Sequence, residues 1–420
     1  MERVPPTAPV DVVVQFEPVP ESARVAREAV HRAVLQAGCE QHVETATLLA
    51  SEVVTNAIVH AGTVIELHVE AGRSGVRVSV QDGSNAAPAQ RHYGRISTTG
   101  RGLAMVELLA TQHGTEPTPA GGKSVWFEVG APPAESPARN RGADPRPAGS
   151  PAASLPVTLR NLPVPLAQAW QQHADALLRE YTLSRWDEDA ATPAAPADDR
   201  AAHEGFAVLA SAFEPVAAQD WTAPSAQVDF TIEAEQLDSF AALDVVLDHV
   251  IGLAEQGLTL APPIQPEIRT FRRWVVQQVT SQAAGDPARE WPGLAADPEP
   301  ANGPPLRWDA AHIESTSEAV VAADDLNRIV AVSPAARALL DWDDDLVGRR
   351  IVTIIPPRFR EMHIAAFTLN QLTGEQRILD REVSVQALRR DGSEVDVVLL
   401  VQRGTADDGR SVFTATLRRP

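Results

Sequence analysis

Residues 48–61, LLASEVVTNAIVHA, carry a helical period: apolar Leu48, Leu49, Val53 and Val54 interleave with Glu52, Asn56 and His60. Positions four apart stack on one helix face, so a carboxylate, an amide and an imidazole share one stripe. Farther on, VRVSVQDGS alternates through Val76, Val78 and Val80, the period of a half-buried strand, and ends at the Asp82-Gly83 turn. TTGRGLAMVELLA starts an apolar helical run directly behind Gly100, Arg101 and Gly102. Glycines there let backbone N–H groups approach an anion at the helix start. GGKSVWFEV predicts a strand behind Lys123, the only lysine of the chain.

The middle of the chain, residues 156–290, reads as helical. LAQAWQQHADALLREY places Leu166, Trp170, Ala174, Leu177 and Tyr181 on one stripe, and Leu237, Phe240, Leu243, Leu247 and Val250 form another. Ile268, Phe271, Val275 and Val279 form a third. Three amphipathic helices imply a bundle or a partner-binding surface. His173 and His249 lie on these helices without a second ligand at metal spacing, so both read as structural or exposed.

From about residue 312 the period returns to two. AVVAADDLNRIVAV predicts two strands joined at Asp324-Asp325-Leu326-Asn327, followed by a short helix and elements punctuated by Gly348 and Pro356-Pro357. VSVQALRRDGSEVDVVLLVQ is a hairpin pattern with Asp391-Gly392 at its turn, and RSVFTATLRR is a last strand.

Residues 131–155 are rich in Pro, Ala and Arg without apolar periodicity and read as a linker, as do residues 291–311; a similar stretch near 192–202 interrupts the middle region. The 420 residues leave room for two or three domains. A net charge of -20 excludes nucleic-acid and anionic-membrane binding as expectations. The single cysteine, Cys39, excludes an internal disulfide and a cysteine-rich zinc site. MERVPPTAPV lacks an apolar core and no run approaches a membrane span, so a soluble, cytoplasmic protein is expected.

The segments around Asn56, Asp82 and Gly100, in that order and with GGKSVWFEV behind them, resemble the N, G1 and G2 boxes of the GHKL ATPase superfamily. More narrowly they resemble the anti-sigma-factor serine/threonine kinases. The resemblance covers residues 12–130 and implies an α/β sandwich of the Bergerat, histidine-kinase-like type that binds ATP and Mg²⁺. On this resemblance Asn56 ligates Mg²⁺, a hard ion that takes oxygen ligands. Glu52 is the general base that takes or orients the proton of the substrate hydroxyl. Asp82 accepts a hydrogen bond from the adenine amino group, and Ser84 lies in the same loop. Gly100, Arg101, Gly102 and Leu103 cradle the phosphates at the helix start, and Lys123 contacts phosphate. Ser84 departs from the family's Asp-x-Gly pattern and costs that loop freedom. His60 reads as a helix-end imidazole satisfied by backbone.

Residues 312–418 resemble a PAS domain, which implies a five-stranded antiparallel sheet with short helices on one face. Cys39 lies far outside it, against flavin photochemistry of the cysteine type. Arg360-Glu361-Met362-His363 resembles the helix carrying the proximal histidine of oxygen sensors, but Val383 stands where those carry a distal arginine, so haem on His363 is not expected and the ligand is left unknown. The resulting reading is an α+β multidomain signalling protein. It phosphorylates a Ser or Thr of an anti-sigma-factor antagonist under control of the PAS domain, and it dimerises, if at all, through its PAS or N-terminal domain. The alternative is an ATP-binding partner-switching module that sequesters a sigma factor or antagonist without phosphoryl transfer. A histidine kinase is not expected, because no helical hairpin precedes the ATPase-like segment.

Overall fold

The protein's structure is a computed structural model that describes residues 9–61, 63–83, 101–119, 122–131, 154–184, 196–217, 224–256, 258–259, 261–262, 264–295, 306–374 and 379–420. The first unit runs β1 (Val10–Phe16), α1 (Pro20–Gln36), α2 (Val43–Ala61), β2 (Ile65–Gly72), β3 (Gly75–Asp82), α3 (Arg101–Leu109), β4 (Gln112–Pro117) and β5 (Lys123–Gly130). Its antiparallel sheet has the order β1-β2-β3-β5-β4. Period-two alternation sends Ile65, Leu67 and Val69 of β2 and Val76, Val78 and Val80 of β3 to one face, where they form one core with Ala26, Val30, Leu49, Val53 and Val54. The other face carries polar pairs, His68 on Asp11 at 2.6 Å and Arg77 on Glu128 at 2.7 Å. One sheet and one helical layer make the expected α/β sandwich.

The middle unit is not purely helical. It runs β6 (Ser154–Pro163), α4 (Val164–Ser184), α5 (Pro196–Ala217), β7 (Ser225–Glu233), α6 (Leu237–Glu255) and α7 (Pro266–Ala283), with β6 and β7 paired antiparallel as a two-stranded ribbon. The strands arise from alternation in Leu155, Val157 and Leu159 and in Val228, Phe230 and Ile232, whose alternate side chains pack on the helices. β6 therefore begins inside the stretch expected to be linker 131–155, and residues 132–153 of that stretch lie outside the described residues. α5 likewise begins inside the 192–202 interruption. The linker expected at 291–311 starts with Trp291, which is buried edge-on to Phe271 and Trp274 at 5.7 and 5.3 Å, because its ring completes an aromatic cluster. Leu306, Trp308 and Ala310, near its other end, pack on a small apolar cluster of the C-terminal unit.

α4 is buried nearly all round. Leu166, Trp170, Ala174, Leu177 and Tyr181 lie in the core as the stripe predicts, and the polar positions Gln171, His173, Asp175, Arg179 and Thr182 are buried too. Trp170 packs edge-on against Phe206 and Phe213 of α5, at 6.0 and 5.8 Å.

The C-terminal unit runs α8 (Ala311–Ser315), β8 (Ala319–Asp324), β9 (Ile329–Val332), α9 (Pro334–Leu340), α10 (Pro357–Thr373), β10 (Glu382–Leu388), β11 (Glu394–Thr405) and β12 (Ser411–Arg418). Its antiparallel sheet has the order β10-β11-β12-β8-β9. The β8–β9 turn forms where predicted: the Asp324 carboxylate accepts from the backbone N–H groups of Leu326 and Arg328 at 3.0 and 2.9 Å, and Asn327 takes φ 57. α10 lies along α4, and its Ile364, Ala365, Leu369 and Leu372 share one core with Trp170 and Leu177 of α4 and Val59 of α2. That shared core joins all three units.

Candidate functional site

α2 presents Glu52 and Asn56 one turn apart, as the spacing predicts. Both are half-buried, because α4 and α5 of the middle unit pack on this face of the helix. Arg179 of α4 reaches both side chains. One guanidinium nitrogen donates to the Asn56 Oδ1, and another lies 3.5 Å from a Glu52 carboxylate oxygen. Burial raises the Glu52 carboxyl above the usual carboxylate range, and the Arg179 charge pulls it partly back. Asn56 Oδ1 is an oxygen of the kind a hard metal ion takes, and in the structure it already accepts from a cation.

Asp82 closes β3 and is 4% exposed. It faces Lys123 across the β3–β5 ladder, and the Lys123 ammonium donates to Asp82 Oδ1 at 3.2 Å. Lys123 thus sits at the Asp82 end of the sheet. Gly122 makes this corner possible: it takes φ +99, and a Cβ there would lie 2.1 Å from the Asp82 carbonyl oxygen. On the other side the Gly83 N–H donates to Thr63 Oγ1 at 2.8 Å.

Arg101, Gly102 and Leu103 open α3, which Met105 and Val106 hold against the core beside α2. Ser84 and Gly100 lie outside the described residues. His60 is in the last turn of α2. The structure thus brings Glu52 and Asn56 together on one helix face, and Asp82 and Lys123 together on the strands beside it. Arg179 is the residue that sequence reasoning missed. Its only signal in the sequence is a charged position on the polar side of an amphipathic helix.

Of the two histidines singled out in the middle unit, His173 is buried and His249 is exposed. His173 Nε2 hydrogen-bonds the Pro262 carbonyl at 2.9 Å, and His249 stands edge-on to Tyr181 at 6.1 Å. Burial pushes the His173 imidazole down to about 4, with the Arg272 charge in support and the Pro262 contact opposing. Among the described residues no three His, Cys, Asp or Glu side chains are grouped to hold a metal ion. No helix among them is long and apolar enough to cross a membrane.

A second concave site lies in the C-terminal unit, a cavity of about 180 Å³ lined mostly by apolar side chains of the sheet and by His363, Phe367 and Asn370 of α10. His363 Nε2 is 3.2 Å from Asn327 Oδ1. Burial, with the Arg350 charge in support, pushes its imidazole down to about 4, so it is neutral near pH 7. Val383, in β10, pairs with Leu399 of β11.

Comparison with known proteins bears on the α2–β3 site. Residues 42–133 match the family model described as histidine kinase-, DNA gyrase B-, and HSP90-like ATPase. This stretch contains Glu52, Asn56, Asp82 and Lys123, and an ATPase domain of this kind implies ATP binding, typically with Mg²⁺. A protein of Azorhizobium caulinodans, described only as uncharacterized, is 36% identical over 110 residues, which are 26% of this chain and 15% of that one. The chain thus spans a small part of that relative's length. Solved structures similar to 26% of the chain include the PAS domain of an HTR-like protein from Haloarcula marismortui, at 26% identity, 85% of that chain and a TM-score of 0.20. Another is a PAS domain from Desulfitobacterium hafniense, at 14% identity over 26% of this chain and 99% of that one, with a TM-score of 0.22.

Proposed function

We propose that the chain is a signalling kinase of the anti-sigma-factor type, with an ATP-binding unit at residues 12–130 and a PAS sensor unit at residues 312–418. The observation that carries this reading is the Glu52–Asn56 pair on α2, a carboxylate and an amide one turn apart inside the ATPase-matched stretch. Bound ATP–Mg²⁺ would supply the phosphoryl group and neutralise charge on its oxygens. Asn56 offers its Oδ1 to the metal, and Asp82 offers a buried carboxylate to the adenine amino group. Glu52 takes the proton of the attacking Ser or Thr hydroxyl; its raised pKa brings it nearer the working range of a general base. The start of α3, from Arg101, presents backbone N–H groups to phosphate.

The protein substrate on this reading is a small anti-sigma-factor antagonist. The test is incubation of the purified full chain with γ-labelled ATP, Mg²⁺ and candidate antagonists. Label on an antagonist Ser or Thr, absent with Asn56→Ala, supports the kinase. Stable complex formation with nucleotide but no label supports sequestration without transfer.

A further inference from the structure

Arg179 occupies the place where the proposed site needs a metal. Its guanidinium bonds Asn56 Oδ1 and lies 3.5 Å from Glu52, and the residue is 7% exposed. Mg²⁺ demands near-octahedral geometry at about 2.0–2.1 Å from its oxygens. An ion held by Asn56 Oδ1 at that distance would lie within contact range of the guanidinium. Two like charges in a partly desolvated site repel strongly, so the two cations exclude each other.

We propose that Arg179 is a resident cation that closes the metal end of the ATP site, so that binding of ATP–Mg²⁺ requires α4 to withdraw from α2. This rests on the reading of Asn56 as the metal-binding amide. The contact couples the site to the C-terminal unit, because α4 has two neighbours that matter. One side of it carries Arg179 to α2. Along its length lies α10, which sets Ile364, Ala365, Leu369 and Leu372 in the core shared with α4 and turns His363, Ala366, Phe367 and Asn370 to the cavity of the C-terminal sheet. A change in that cavity moves α10, α10 moves α4, and α4 sets whether Arg179 stays on Asn56. The C-terminal unit is also tied to the start of α7: Asn327, which touches His363, donates to Gln265 Oε1 at 3.4 Å, and Arg350 donates to the same Gln265 oxygen at 2.9 Å.

The energetic form of the claim is a closed state in equilibrium with an open one. Apparent affinity for ATP–Mg²⁺ then falls by the fraction of molecules that are open. Removing Arg179 removes the closed state's bond to Asn56 and raises that fraction.

The test is calorimetry on the full chain with ATP–Mg²⁺ and with ATP in EDTA, alongside hydrogen exchange of the α4 amides. Arg179→Ala and Arg179→Gln should bind ATP–Mg²⁺ roughly tenfold or more tightly than the wild type, and the gain should vanish in EDTA. In the wild type, ATP–Mg²⁺ should speed exchange in residues 174–184 as α4 withdraws, a readout that needs no variant to fold. Weaker binding by both variants, or slower exchange in α4 on binding, would show that Arg179 grips the nucleotide and would overturn the proposal while leaving the site intact. Absence of ATP–Mg²⁺ binding by the wild type and both variants would overturn the Asn56 reading and the proposal with it.

Discussion

Arg350 of the C-terminal unit and Glu267 of α7 form an ion pair closed to water from both sides, with nitrogen and oxygen 2.5 Å apart and side chains 2% and 1% exposed. A second Arg350 nitrogen lies 3.1 Å from the other Glu267 oxygen, so the pair is bidentate. It fixes the C-terminal sheet to the middle helices at one orientation. Glu267→Ala leaves a buried guanidinium uncompensated and should cost about 3–5 kcal/mol of unfolding free energy. Denaturant titration measures it. The double variant Glu267→Leu with Arg350→Met should recover part of the loss, since it removes both buried charges, while Gln265 Oε1 and the Leu326 carbonyl lose the Arg350 donor. A single-variant loss below about 1 kcal/mol would mean that the pair opens to solvent.

Glu52 and Asn56 should separate in function. Asn56→Ala should weaken ATP binding and phosphoryl transfer together. Glu52→Ala should leave ATP affinity within a few fold and lower transfer by about 10²–10⁴-fold. Calorimetry and labelled transfer, with circular dichroism to check folding, read the two effects. Wild-type transfer by Glu52→Ala would exclude it as the base.

His173 predicts an acid-sensitive middle unit. Its ordinary value is 6.5 and burial holds it at about 4 in the fold. Between these values the unfolded chain binds the proton and the native state does not, so stability falls as pH drops through this window and is unaffected above it. By about pH 5 the loss is roughly 2 kcal/mol. Melting of the wild type and of His173→Gln at about pH 7.5 and about pH 5 measures it. The variant should lose noticeably less on acidification; equal losses would place the acid sensitivity elsewhere.

Gly122→Ala should disturb the Asp82 corner. Strain at φ +99 costs about 1–3 kcal/mol, and the contact with the Asp82 carbonyl adds to it. Lower stability with weaker nucleotide binding is expected. Unchanged binding in a folded variant would remove Asp82 from the nucleotide pocket.

Much of the α2–β3 site is legible in the sequence because its elements obey local periods. Glu52 and Asn56 follow from a spacing of four, and Asp82 from alternation ending in a turn. The β10–β11 hairpin is legible for the same reason, with Gly392 at φ 84 where the Asp391-Gly392 pair predicts its turn. β6 and β7 were harder to see. Each is a short alternating run beside long amphipathic helices, and β6 is broken by an irregularity between Leu159 and Leu162. Arg179 was not legible at all. It lies 123 positions from Asn56, and nothing local to α4 distinguishes an arginine bound for solvent from one bound for another unit's carboxylate and amide.

Lys123 gives the protein a chemical address. The chain has one lysine, its side chain is 12% exposed, and it stands on Asp82. Amine acylation therefore has a single side-chain target, at one corner of the proposed pocket, besides the terminal amine. The rate of modification at that one nitrogen becomes a direct gauge of whether the corner is covered, with no substitution needed to install the reporter.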